Sequence, residues 1–271
     1  MSAPPELAPP RLLQDVNRDG SGNRLLLYEI EGRPALLKEY RARGARVREL
    51  AKAVGYRVFE RKRGVTARGR CALERELIAR WRQHGFDVPA LLPFALPPGF
   101  DARTATWLEY CPGPTLRDFA RDAAQPLALR ERELARFAAT LAARQARVLE
   151  TRDVGLVMKH ATLKHVLLHA GRQVHVDFEG AHAPGVDPWE ALADELSGLV
   201  RSLLRAVRRE ERERLGAAFL AGHGAPALLR DVAARGAGRR LRRRLHRLSD
   251  RLRRPVLGKH AALAWVVERT R

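Results

Sequence analysis

Two short stretches hold the side chains best suited to reaction chemistry. The first runs Met158-Lys159-His160-Ala-Thr-Leu-Lys164-His165-Val-Leu-Leu-His169, and the second is Val174-His-Val-Asp177-Phe-Glu179-Gly180. Ala170-Gly171-Arg172 between them reads as a turn, so the flanking apolar runs make two short paired strands. A polar loop then precedes one strand, and an acidic residue closes the other. Asp177 at that junction is a hard oxygen ligand, suited to Mg²⁺ bridging nucleotide phosphates. His160 carries an imidazole whose ordinary pKa lies near working pH, which fits a general base. Lys164, four residues on, could stabilise charge on a transferring phosphoryl group. His165 is an imperfect Mg²⁺ ligand and could instead position the loop. The plainer alternatives are a structural Asp at a strand end and a histidine remnant in a chain that does not catalyse.

A second set lies in the N-terminal half. Lys38 ends an apolar strand run, where its ammonium can neutralise the first phosphates of a nucleotide. On the helix from Ala72, Glu74 shares a stripe with Leu77, Ile78 and Trp81 and so points inward, while Glu76 falls with Arg80 and Gln83 on the wet side. An inward carboxylate needs a cation, because burying it alone is costly. Lys38 is the natural partner, with one of the many nearby arginines as the alternative. Gly20-Ser-Gly22 could let backbone amides approach phosphate oxygens. Glu109 and Tyr110, which close a strand before Cys111-Pro-Gly-Pro114, complete the candidate nucleotide-binding set.

These residues need elements to place them. Arg24–Ile30 and Ala35–Tyr40 read as strands joined by a hairpin loop at Glu31-Gly32. Apolar residues at 47, 50, 51, 54 and 58 predict a helix with a basic face, and Ala72–His84 a second, stopped by Gly85. The segment from Asp87 to Pro93 and that from Thr104 to Tyr110 read as further strands. Beyond a break at Cys111–Pro114, helices are expected over 130–150, 189–207 and 210–221. The prediction is an α+β, two-lobed protein-kinase-like fold, with a small β-rich N-lobe and a mostly helical C-lobe. Its expected parts are a flexible N-terminus over 1–14, an N-lobe over 15–110 and a C-lobe over 111–271.

The composition narrows the partners. A net charge of +20 over 271 residues and a pI near 11.3 favour anionic ligands or surfaces. Two cysteines, Cys71 and Cys111, exclude a disulfide framework and a cysteine-rich zinc site. No apolar run approaches twenty residues and the start lacks a signal-peptide core, so the expectation is a cytoplasmic protein, peripheral at the inner membrane at most.

Leu36-Leu-Lys38-Glu-Tyr-Arg41-Ala-Arg43-Gly44, the basic helix after it, Glu74, Asp87-Val-Pro89, Lys164-His165-Val-Leu-Leu and Val176-Asp177-Phe-Glu179 together resemble the lipopolysaccharide core kinases, the Kdo/WaaP and InaA-like group. The resemblance spans roughly residues 15 to 205. It implies ATP with Mg²⁺ and phosphorylation of sugars in the inner-core glycolipid of lipopolysaccharide. It also implies that His165 replaces the asparagine metal ligand of other kinases. His160 stands where those kinases carry a catalytic aspartate. A catalytically silent pseudokinase acting as a scaffold is the alternative reading, and a protein Ser/Thr kinase a third.

Nine arginines between Arg239 and Arg254 surround Leu241, Leu245, Leu248 and Leu252, which fall on one helical face. That helix either packs its leucines on the C-lobe or lies on an anionic membrane. Nucleic acid is disfavoured, because few aromatics and no base-stacking motif accompany the charge.

Overall fold

The computed structural model describes residues 9–14, 22–42, 62–63, 66–237 and 258–270. The basic helix expected from Val47, Gly20 and the Arg239–Arg254 segment lie outside these residues. The chain divides into two compact units: Met1–Pro112 with Val174–Ala183, and Gly113–Gln173 with Pro184–Arg271. The strands are β1 (Arg11–Gln14), β2 (Asn23–Ile30), β3 (Arg33–Tyr40), β4 (Lys62–Arg63), β5 (Ala105–Glu109), β6 (Val166–His169), β7 (Arg172–His175) and β8 (Ala181–His182).

In the first unit an antiparallel sheet runs in the order β1-β2-β3-β5, and β4 pairs with β8. Glu31 (φ 53°) and Gly32 (φ 72°) make the β2–β3 turn, both in the left-handed region that matches strand twist in a two-residue hairpin. Alternation then sorts the sheet's faces. Leu26, Tyr28, Ile30, Ala35, Leu37, Ala105 and Trp107 form one apolar face, with the Trp107 indole N–H donating to Ala95 O at 3.1 Å. The opposite parity carries Asn23, Lys38, Tyr40 and Thr106, and onto it folds helix α1 (Ala67–Gln83).

Helix α1 starts five residues before the expected Ala72. Thr66 caps it by accepting from Gly69 N at 3.0 Å, and Arg70 in its first turn is 1% exposed because its guanidinium has buried acceptors. It ends as expected at Gly85 (φ 75°), where Phe86 N reaches back to Trp81 O at 3.0 Å. The strand expected over 87–93 does not form. Pro89 and Pro93 lack N–H donors, and only a single bridge, Leu91 to Leu108, is made there.

Strands β6 and β7 form the expected hairpin, turning through Ala170 (φ 47°) and Gly171 (φ 76°). The second unit is built from α2 (Leu116–Arg121), α3 (Leu127–Thr151), α4 (Pro188–Ala206), α5 (Arg212–His223), α6 (Pro226–Ala237) and α7 (Lys259–Arg269). Helix α3 packs on α5, while α4 packs against α6 and α7. The α4 core stripe is Leu192, Leu196, Leu199 and Leu203, the residues whose spacing predicts it. Among the described residues no helix is long and apolar enough to cross a membrane.

Candidate functional site

The face of the sheet opposite the apolar core gathers seven ionisable or amide side chains of the first unit. Lys38 Nζ donates to Glu74 Oε2 at 2.7 Å and lies 3.0 Å from a Glu179 oxygen and 3.8 Å from Asp177 Oδ1. Tyr40 donates its hydroxyl to the same Glu74 oxygen at 2.7 Å. Glu179 is held in turn by Arg70 Nη1 at 2.9 Å and by the Asn23 amide, while the same Arg70 nitrogen donates to Asn23 Oδ1 at 2.8 Å. All of these groups are buried except Asp177, whose side chain is 41% exposed. Asp177 also has φ 71°, a left-handed conformation unusual for a residue other than glycine.

Trp81 explains how Asp177 is fixed. Its ring, fully buried on α1, lies 5.0 Å from the His175 ring and 4.9 Å from the Phe178 ring. The residues on either side of Asp177 are therefore packed on the helix that carries Glu74. Electrostatics follow from burial and pairing. Burial pulls the Lys38 ammonium pKa down, but Glu74, Glu179 and Asp177 outweigh it and hold it above its ordinary value. Burial pushes the Glu74 carboxyl up, with Lys38 pulling against it. Burial and the adjacent Glu74 hold the Tyr40 phenol well above its usual range, so it keeps the proton that it donates to Glu74.

The second unit holds the histidine loop. His160 and Lys164 are exposed, and His165 is buried with its Nδ1 3.0 Å from His160 O. A carbonyl only accepts, so Nδ1 carries a hydrogen and donates it. The loop before His160 is clamped from beneath. Arg144 on α3 donates to Glu195 Oε1 on α4 at 2.7 Å and to Leu156 O at 2.6 Å, and Met158 N donates to the same Glu195 oxygen at 2.8 Å. Gly198 lets the loop lie against α4, since a Cβ there would sit 2.5 Å from Ala161 O. Leu163 N donates to Ser202 Oγ at 3.0 Å.

The structure thus brings Lys38, Glu74 and Asp177 together in one unit, and gathers His160, Lys164 and His165 in the other. Gly22 (φ 106°) sits just before Asn23 at the start of β2. Glu109 Oε2 accepts from Ala90 N at 3.0 Å, and Tyr110 is half-buried after β5. Sequence reasoning missed Asn23, Tyr40 and Arg70. Arg70 was findable, lying one helical turn before Glu74 on the same stripe.

A strand lysine bonded to a helix glutamate beneath a small antiparallel sheet, then a hairpin closed by an Asp, then helices, is a distinctive order. It agrees with the kinase-like arrangement expected from the sequence. Comparison with solved structures returns WaaP, seen in complex with acyl carrier protein, at 15% identity and a TM-score of 0.46, covering 85% of this chain and 88% of that one. It also returns a thermostable mutant of the aminoglycoside phosphotransferase APH(4)-Ia at 13% identity and a TM-score of 0.37, covering 97% of this chain and 95% of that one. A third is an aminoglycoside phosphotransferase-like protein of Ralstonia eutropha at 13% and 0.40, covering 100% of this chain and 90% of that one. These likenesses are too remote to carry a substrate across. No protein-family profile matches the chain, and no curated protein is similar to it in sequence.

Proposed function

We propose that the chain is an ATP-dependent phosphotransferase in which Lys38 receives nucleotide phosphates, Glu74 holds Lys38 in place and Asp177 ligates Mg²⁺. The observation that carries this reading is the buried Lys38–Glu74 pair beside a carboxylate that alone stays open to solvent. The donor set fits the metal: Asp177 and the adjacent Glu179 offer hard oxygens, and the ammonium between them can exchange their charge for that of phosphate. Bound Mg²⁺ would neutralise charge on the phosphate oxygens. An acceptor hydroxyl would attack the terminal phosphorus as the bond to ADP breaks, giving its proton to His160. Lys164 would meet charge on the phosphoryl oxygens. The acceptor suggested by the sequence resemblance is an inner-core lipopolysaccharide sugar, phosphorylated at the cytoplasmic face of the inner membrane. The net charge of +20 supports an anionic acceptor.

A thermal-shift series with ATP and Mg²⁺ tests the nucleotide site. At ligand about 100-fold above Kd the stabilisation is about 2.7 kcal/mol, a rise of a few degrees. Lys38→Met should remove the shift, and Asp177→Asn should remove the part that depends on Mg²⁺. A shift insensitive to both substitutions would overturn the assignment. His160 in the place of a catalytic aspartate favours one other reading, a pseudokinase, which would bind the nucleotide without releasing ADP in the presence of any acceptor.

A further inference from the structure

In the second unit the exposed loop carrying His160 and Lys164 forms one wall of a cleft of about 650 Å³. That size falls within the roughly 300–1,000 Å³ typical of small-molecule sites. Its lining holds seven lysines and arginines against one carboxylate, Asp194, which already bridges Lys159 (3.5 Å) and Lys259. Four arginines of the lining are arranged in register. Arg117 and Arg121 stand one turn apart on α2, and Arg201 and Arg205 one turn apart on α4, the two helices packing together. Like charges four residues apart destabilise a helix. Two such pairs line one cleft, and Arg117 also reaches Asp118 on its own helix at 3.0 Å. Guanidinium forks also match phosphate oxygens two at a time.

We propose that this cleft binds an acceptor that already carries phosphate groups, gripped by the Arg117/Arg121 and Arg201/Arg205 pairs, so that its free hydroxyl lies by the His160 loop. The proposal rests on the reading of that loop as a phosphoryl-transfer loop, and it names the class of acceptor. The cleft correspondingly rejects sugars bearing amines, whose charge repeats that of the walls. The phosphate groups come either from a soluble sugar phosphate or from a lipid headgroup presented at a surface.

Calorimetric titration of the full chain with fructose 1,6-bisphosphate, glucose and kanamycin tests the class. Sedimentation with vesicles containing phosphatidic acid, or only neutral phosphatidylcholine, distinguishes the source. The expected result is binding of the bisphosphate, the acidic vesicles or both, weakening with added salt, and none of glucose, kanamycin or neutral vesicles. Arg201→Gln with Arg205→Gln should weaken the phosphate binding about 100-fold, roughly tenfold for each guanidinium–phosphate hydrogen bond removed. Arg121→Gln, at an exposed position, gives a second, milder variant expected to lose about tenfold. Binding unaffected by these changes, binding of kanamycin, or no binding of either phosphate source would overturn the proposal. The ATP assay separates this from the nucleotide reading. Lys38→Met should leave bisphosphate binding intact, and the double arginine variant should keep its ATP–Mg²⁺ shift. If instead the arginine variant loses the ATP shift while Lys38→Met retains it, the cleft is the nucleotide site and the acceptor assignment falls.

Discussion

Replacing Lys38 by Met leaves Glu74 buried beside Asp177 and Glu179 with its cation gone, which makes the cost depend on pH. Glu74 is 2% exposed and keeps only the Tyr40 hydroxyl of its two donors. If it stays charged, the loss is that of breaking a buried pair, about 3–5 kcal/mol. If it takes a proton instead, the cost is about 1.4 kcal/mol for each pH unit above its ordinary value near 4.3, so roughly 3.8 kcal/mol at pH 7 and roughly 1 kcal/mol at pH 5. The cheaper route sets the result, and protonation wins at low pH. In the variant, Glu74 has a folded pKa above its unfolded one. The folded state therefore holds the extra proton, and stability falls as pH rises from about 4.3 toward the folded value. Glu179 contributes less to this change, because Arg70 and Asn23 still hold it. Urea unfolding followed by circular dichroism at pH 5 and pH 7, wild type against variant, reads the difference directly. The gap should be about 3–4 kcal/mol at pH 7 and smaller by 2–3 kcal/mol at pH 5. Equal gaps at both pH values, or a gap under about 1 kcal/mol at pH 7, would refute the argument.

His160→Ala should reduce phosphoryl transfer about 10²–10⁴-fold while leaving the ATP–Mg²⁺ thermal shift in place, and an unchanged rate would make His160 a bystander. The second unit should also lose stability in acid through His223. Burial pulls this imidazole down to about 4, its Nε2 lying 3.1 Å from Gln145 Oε1. Between that value and the ordinary 6.5 the unfolded chain binds the proton and the folded one does not, so stability is full above 6.5 and falls by roughly 3 kcal/mol as pH drops to 4. The urea midpoint of wild type should fall over that range more than that of His223→Gln, and parallel curves would show that His223 is not responsible.

How far the sequence could be read depended on whether a residue's signal was local. Lys38 and Glu74 were legible because strand parity and helix periodicity each point a side chain without reference to the rest of the chain. The α4 leucine stripe was legible for the same reason. Arg70 was passed over because a cation in a chain with 51 lysines and arginines carries little information until its acceptor is known, and Glu179 lies 109 residues away. Asn23 depends on the same partner. The segment over 87–93 misled because its apolar residues suit a strand, while its prolines remove the donors that a ladder requires. The arginine cleft escaped because α2 and α4 are 66 residues apart, and only packing sets Arg121 and Arg205 around one space.

Helix α1 has a consequence beyond its packing. Arg70, Glu74 and Trp81 lie along about 16 Å of one rod, and each is fastened to a different part of the same apparatus. The first grips Glu179, the second grips Lys38, and the third is wedged between the rings that flank Asp177. Asp177 is thus a passenger of the helix rather than of its own loop. A displacement of α1 would therefore carry the lysine's anchor and the open carboxylate together.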